Sequence, residues 1–283
     1  MEFEGKVAVI TGGASGIGRG TALAMARLGT DIVLADVNDR RLAEARAEVA
    51  ALGRRALAVH CDVSSDADME RLAEEALTEM GRVDILMNNA GVVLRGALEQ
   101  ISMADWEWSL GINVLGVVRG LRVFLPHMIA RGSGYIINTG SVAGLFALTG
   151  EGAPYITSKF AVVGLSEALA LYVRPYGIGV SVLCPGSVDT NLHETERAIG
   201  MTPERALAEA AVAAGVLGNR AMTPDQIGEI VVEAVRQNRF CILADPSYEA
   251  VILNRAQDLN GFVEARLRGQ LIPPGLVCRR EGT

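Results

Sequence analysis

Short runs of consecutive apolar residues alternate along the chain with longer stretches in which apolar residues recur every three or four positions. Residues 6–11, 31–35, 55–61 and 83–87 are largely apolar throughout, not at every second position. A strand of that composition is buried on both faces. Between these runs, residues 21–28, 39–52 and 66–80 carry helical spacing. The alternation continues with a long helical pattern at 106–129, a strand at 134–138, a helix at 155–172, a strand at 179–183 and a last short strand at 240–243. Repeated βα units with such strands predict a parallel sheet of about seven strands. Right-handed crossovers then give an α/β, doubly wound Rossmann fold with helices on both faces.

Two stretches fit the repeating unit less well. Residues 190–220 are Ala-rich and helical in pattern, with little strand character, and are expected to form a helical lid over a substrate. Residues 246–283 are expected to form a C-terminal helical extension, packed on a neighbouring subunit, over the cleft, or on the chain's own core. No linker composition or internal repeat interrupts the chain, so residues 1–283 are expected to form one domain. A length of 283 residues is near the upper limit for one hydrophobic core.

Composition narrows the function classes. Half of the residues are apolar and 21% are charged, which excludes a disordered chain. The net charge is −7 with no Lys/Arg-rich run, so no nucleic-acid partner is expected. The N-terminus carries two acids and no long apolar stretch, unlike a signal peptide. The uncharged stretch between Arg131 and Glu151 is interrupted by Gly, Ser, Asn and Thr, unlike a membrane span. No membrane partner is expected, and a cytoplasmic location is. Cys61, Cys184, Cys241 and Cys278 are far apart, as expected of reduced thiols. His60, His127 and His193 have no ligand at metal spacing, so no metal site is expected.

Four motifs carry chemistry. Thr11-Gly12-Gly13-Ala14-Ser15-Gly16-Ile17-Gly18 follows the first strand and opens the first helix. Glycines there allow a tight turn and close approach to a pyrophosphate, which meets the free N–H groups of the helix start. No Gly-Lys-Ser/Thr follows, which excludes a P-loop. Asp36 ends the second strand, where a carboxylate accepts from adenosine ribose hydroxyls and repels a 2′-phosphate. Asn88-Asn89-Ala90-Gly91 follows the fourth strand and on its own is a turn signal. Tyr155 and Lys159 are four apart on one helix face. A nearby ammonium favours the phenolate. Making Tyr155 a base at neutral pH takes about 4 kcal/mol.

Taken in order, these residues resemble one family, the classical short-chain dehydrogenases/reductases. The Gly-rich segment at 11–18, Asp62, Asn-Asn-Ala-Gly at 88–91, Asn113, Ser141, Tyr155 with Lys159, and Pro185-Gly186 all match its pattern. The match is close over about residues 5–190. The resemblance implies that Tyr155 is the acid/base and that Lys159 lowers its pKa and binds the nicotinamide ribose. It implies that Ser141 hydrogen-bonds the substrate oxygen and that Asn113 supports a water chain to Lys159. Gly12, Ser15, Gly16, Ile17 and Gly18 would hold the pyrophosphate. Asp36 would hold the ribose, Asp62 and Val63 the adenine, Asn89 and Gly91 the adenosine side, and Val188 and Thr190 the carboxamide. A dimer or homotetramer is implied as well.

Departures from the family pattern sharpen the expectation. NADP-preferring relatives usually carry a basic residue at position 15 or just after position 36; here Ser15 and Val37 stand there. NAD is therefore expected and NADP disfavoured, with Arg40 and Arg41 close downstream. The segment between Ser141 and Tyr155 is about one residue longer than usual. The stretch after Leu243 lacks the family's short Asp-Gly-Gly ending and is similar to members acting on bulky hydrophobic or aromatic alcohols. The expected activity is NAD-dependent interconversion of a small hydrophobic secondary alcohol and a ketone. The alternatives are an NADPH-dependent 3-oxoacyl reductase and a non-catalytic dinucleotide sensor.

Overall fold

Successive residues of the central strands enter two different apolar layers. Val9, Val33, Leu86 and Ile136 pack into one, and Ile10, Leu34, Met87 and Ile137 into the other. With both faces buried, nothing selects polar residues at alternate positions. The computed structural model describes residues 1–204, 207 and 221–268. Its main sheet has seven parallel strands. They are β1 (Val7–Thr11), β2 (Asp31–Asp36), β3 (Ala56–His60), β4 (Ile85–Asn88), β6 (Gly134–Thr139), β7 (Ile178–Cys184) and β9 (Cys241–Leu243). Their spatial order is β3-β2-β1-β4-β6-β7-β9. Strand order therefore reverses between β1 and β4, and ligands of open α/β sheets bind outside the strand ends at such a point.

Helices cover both faces. α1 (Gly16–Arg27), α2 (Asp39–Ala51) and a later helix, α7 (Pro224–Arg236), share the layer of Ile10 and Leu34. α3 (Asp66–Met80), α5 (Leu115–Arg131) and α6 (Ala153–Val173) cover the other. Local chemistry sets the starts. Asn38 accepts from the Arg41 N–H to cap α2, Ser65 accepts from Asp68 to cap α3, and Thr223 with Gln226 forms a capping box on α7.

Three expectations need correction. The helix expected at 106–129 is two, α4 (Met103–Asn113) and α5, with a bend at Val114. Main-chain hydrogen bonds cross the bend, from Val114 to Leu110 and from Val118 to Val114, so the apolar period runs on and conceals it. A second, two-stranded parallel sheet, which the apolar pattern does not announce, joins β5 (Leu94–Gly96) to β8 (Arg197–Ile199). β8 lies in the stretch expected to be helical, after a short 3₁₀ turn at Asn191–Thr195. Its strand character comes from its partner: Arg197 N donates to Val93 O, and Ala97 N to Ile199 O. The helical expectation for 205, 206 and 208–220 lies outside the described residues, as does residue 269 onward of the C-terminal extension.

The described part of that extension is α8 (Glu249–Gln257) and α9 (Leu259–Leu267). Both pack on the chain's own loop after β6. Phe146 lies 6.1 Å from the ring of Tyr248 and 6.5 Å from that of Phe262, with Val142 and Val251 beside them. Arg266 donates to Leu148 O.

α1 and α7 cross at Gly20 and Gly228, where main chain meets main chain. A Cβ on Gly228 would lie 2.5 Å from Gly20 O, and one on Gly20 2.3 Å from Pro224 O. Gly228→Ala gains about 1 kcal/mol of helix propensity but drives a methyl into main chain. A net loss of about 1–3 kcal/mol is expected, read from urea unfolding. Unchanged or raised stability would contradict this packing.

Candidate active site

The C-terminal ends of β1, β2, β4, β6 and β7 open on one cleft of about 400 Å³. That is within the range of small-molecule sites. Its wall runs from Asp36, Asp62 and Val63 past Gly12, Ser15, Gly16 and Ile17 to Asn89, Gly91, Ser141, Tyr155 and Lys159, and closes with Val188 and Thr190. Two residues expected at the site, Gly18 and Asn113, do not line it.

The glycine loop is shaped by what surrounds it. Gly12 and Gly16 have φ of +62° and +51°. A Cβ on Gly12 would lie 2.9 Å from Ala90 Cα, and one on Gly18 2.2 Å from Gly12 O. Gly18 therefore lets the helix sit against the loop and does not face the cleft. Ser15 precedes α1 but makes no side-chain cap, and the first turn holds no acid. The N–H groups of that turn are left for an anion, and the helix dipole favours one. The residues thus fit a dinucleotide's pyrophosphate.

Asn89 supports this loop with its side chain. Its Nδ2 donates to Thr11 O and Gly12 O, and its Oδ1 accepts from Thr139 Oγ1. Thr11 Oγ1 accepts from the Asn89 and Ala90 N–H groups. At the other end, Asp36 Oδ2 accepts from Ala14 N at 3.2 Å and Oδ1 from Asn38 N at 3.1 Å. Those bonds fix the carboxylate at the cleft wall. Asp62 Oδ1 accepts from the N–H and hydroxyl of Ser64. Val188 is held by an exchange of main-chain bonds around it, Asp189 N to Met222 O and Met222 N to Ser187 O.

Tyr155 and Lys159 face the cleft from α6, and Ser141 from the end of β6. Lys159 is only 5% exposed, and its Nζ donates to Thr139 O at 2.9 Å. Burial pulls its ammonium down to about pKa 8, with Cys184 opposing slightly. Burial pushes the Tyr155 phenol above its ordinary value, and the Ser141 hydroxyl opposes that. Here the expectation that Lys159 draws the phenol down is corrected for the protein alone. The ammonium stands 5.5 Å from the centre of the Tyr155 ring, and desolvation of the buried phenol dominates. Ser141 Oγ also accepts from Ala143 N.

Asn113 lies behind this wall. Its Oδ1 accepts from Val92 N, and its Nδ2 donates to Val92 O and to Ser158 Oγ. Ser158 in turn donates to Tyr155 O. No direct bond links Asn113 to Lys159; the amide braces the helix that carries Tyr155. Its position follows from the α4 bend, which the sequence pattern conceals.

The sequence pattern gives other lining residues no individual role, although Pro185 belongs to the Pro185-Gly186 match, Arg41 follows Asp36, and Leu192, Glu194 and Thr195 fall in the expected lid. Thr139 and Pro185 were findable, since each ends or follows a sheet strand at the switch point. Arg41, Leu192, Glu194 and Thr195 also line the cleft. Arg41 and Glu194 are 153 residues apart and pair side chain to side chain, which no local pattern announces. Among the described residues, no group of three or more His, Cys, Asp or Glu side chains is placed to hold a metal.

A family model for short chain dehydrogenase matches residues 6–199. The chain is 32% identical to "CLA biosynthesis dehydrogenase/reductase" of Lactiplantibacillus plantarum, over 90% of this chain and 93% of that protein. It is 38% identical to "3beta-hydroxysteroid dehydrogenase 2" of Eggerthella lenta, over 79% and 85%. A crystal structure of a short chain dehydrogenase/reductase from Burkholderia phymatum in complex with NAD superposes with a TM-score of 0.84 at 36% identity, covering 97% of this chain and 99% of that one. The chain therefore belongs to the short-chain dehydrogenase/reductase family and is an NAD(P)-dependent dehydrogenase acting on CH–OH groups.

Proposed function

We propose that the protein interconverts a hydrophobic secondary alcohol and a ketone, prefers NAD, and uses Tyr155 as the acid/base. The observation that carries this reading is the convergence of Ser141, Tyr155 and Lys159 on one wall of a cleft whose far end is Asp36. A bound nicotinamide supplies the hydride acceptor or donor. The chain's own residues do the rest. The N–H groups of Gly12, Ser15, Gly16 and Ile17 hold the pyrophosphate, with Asn89 and Gly18 shaping the loop. Asp36 takes the adenosine ribose, Asp62 and Val63 the adenine, Gly91 the adjoining wall, and Val188 and Thr190 the carboxamide. Lys159 takes the nicotinamide ribose.

At the substrate, Ser141 Oγ and the Tyr155 hydroxyl bind the reacting oxygen. In alcohol oxidation the phenolate of Tyr155 accepts the hydroxyl proton; in ketone reduction the phenol returns it. While protonated, Lys159 places a positive charge 5.5 Å from the ring centre, which favours the phenolate. Because burial raises the Tyr155 pKa, oxidation requires the scarce ionised form and is expected to accelerate as pH rises. Reduction, which requires the phenol, is expected to slow over the same range.

Apolar walls support a hydrophobic substrate. Val92, Ile112 and Leu192 line the cleft, and the loop after β6 is backed by Phe146, Tyr248 and Phe262. The relative named for 3β-hydroxysteroids is consistent with that. A 3-oxoacyl reductase using NADPH is less well supported, because Asp36 meets the ribose and no basic residue stands at 15 or 37. A non-catalytic sensor would not require Ser141, Tyr155 and Lys159 on one wall. The same reading includes a dimer or tetramer and a reducing, cytoplasmic setting, which the free thiols of Cys61, Cys184 and Cys241 suit.

Two outcomes test the proposal. Tyr155→Phe is expected to keep NAD binding and lose at least about 100-fold in turnover of secondary alcohols. Near-normal turnover would reject Tyr155 as the base. For cofactor choice, two like charges about 4 Å apart repel by about 4 kcal/mol at an effective dielectric of 20, before salt and solvent reduce it. A preference for NAD of about 100-fold in kcat/KM is therefore expected, narrowed in Asp36→Ala and reversed in Asp36→Ala with Val37→Arg. Equal efficiency with NADP in the unmodified enzyme would show the assignment of Asp36 to be wrong.

A further inference from the structure

The adenosine end of the cleft holds two arginines just after Asp36, and both are occupied. Arg40 turns outward to Glu44 on its own helix. Arg41 lines the cleft, within range of the Asp36 charge. Its Nη1 and Nη2 donate to the two oxygens of Glu194, both at 2.9 Å. Glu194 lies in the turn after β7, on the opposite lip, and Asn191 Nδ2 donates to its Oε1 at 2.7 Å. Arg41 holds the Glu194 carboxyl down at about pKa 2, so the pair is charged at any working pH.

Two-point pairing of a guanidinium with a carboxylate uses the same fork that would grip a phosphate. We infer that Glu194 is a specificity-determining residue: it withdraws Arg41 from the adenosine ribose and so keeps a 2′-phosphate from gaining a cation beside Asp36. The inference rests on the reading of Asp36 as the ribose-binding carboxylate. It adds a second device, placed in the segment that closes the cleft and not in the nucleotide-binding half. That segment is tied down elsewhere by Arg95 to Glu196 and by Arg197, which pairs with Asp105 and stacks at 3.7 Å on Trp108. Removing the Glu194 charge therefore frees Arg41 while other ties still hold the segment. Glu194 acts through Arg41, so it is a positioning residue and needs a readout that a purely structural role would not move.

That readout is the ratio of two dissociation constants measured by calorimetry on the full chain. The ligands are adenosine 2′,5′-bisphosphate and adenosine 5′-monophosphate, which differ only in the 2′-phosphate. In Glu194→Gln the ratio is expected to move about tenfold toward the bisphosphate, the worth of one partly screened charge-assisted contact. Adding Arg41→Ala to Glu194→Gln is expected to abolish the gain. A ratio unmoved by Glu194→Gln, or a gain that survives loss of Arg41, overturns the inference. Tighter binding of the bisphosphate than of the monophosphate by the unmodified chain would instead overturn the reading of Asp36. Binding of neither nucleotide would overturn both.

Discussion

A single buried ammonium organises the reacting end of the cleft. Lys159 is almost fully enclosed, and Thr139 O at the end of β6 accepts from its Nζ. Burying an ammonium is costly unless it is hydrogen-bonded, and one carbonyl offsets only part of that cost. The lowered Lys159 pKa expresses the remainder. Everything near it is arranged around that charge. Gly144 leaves room for the Lys159 main chain, where a Cβ would come 2.5 Å from Lys159 O. Asn113 and Ser158 brace the turn of α6 between Tyr155 and Lys159.

The sheet makes that arrangement possible. Reversal of strand order between β1 and β4 brings Thr11, Asn89 and Thr139 together from three strand ends, joined by the Asn89 side chain. Through Thr139, the same stitch reaches the carbonyl that holds Lys159. Cofactor loop and reacting end are thus linked through one short polar chain across the switch point. The pair between Arg41 and Glu194 then spans the adenosine end of the cleft.

Much of this was legible in the sequence for a physical reason. Strands buried on both faces must be apolar throughout, so Val7–Thr11 and Ile85–Asn88 announce a parallel sheet. The glycine loop and the Tyr155–Lys159 spacing are local, and local geometry survives in sequence order. The rest depends on distant partners. Leu94–Gly96 and Arg197–Ile199 are three-residue strands containing Arg and Gly, and only their pairing makes them strands. The support that Asn89 and Gly18 give the loop follows from atoms that come together only in the fold. So does the rise in the Tyr155 pKa: spacing shows that Lys159 is near, but not that the phenol is buried.

The account depends most directly on the state of Lys159, and the composition makes it measurable, since the chain has two lysines, Lys6 and Lys159. Titration of ¹³C-labelled lysine side chains by NMR, in the protein without cofactor, resolves both, and Lys159→Arg assigns the signals. The account requires the Lys159 signal to titrate at about pH 8. A midpoint at the ordinary lysine value of about 10.4 would contradict it, because the ammonium would then be solvated and not enclosed beneath Tyr155.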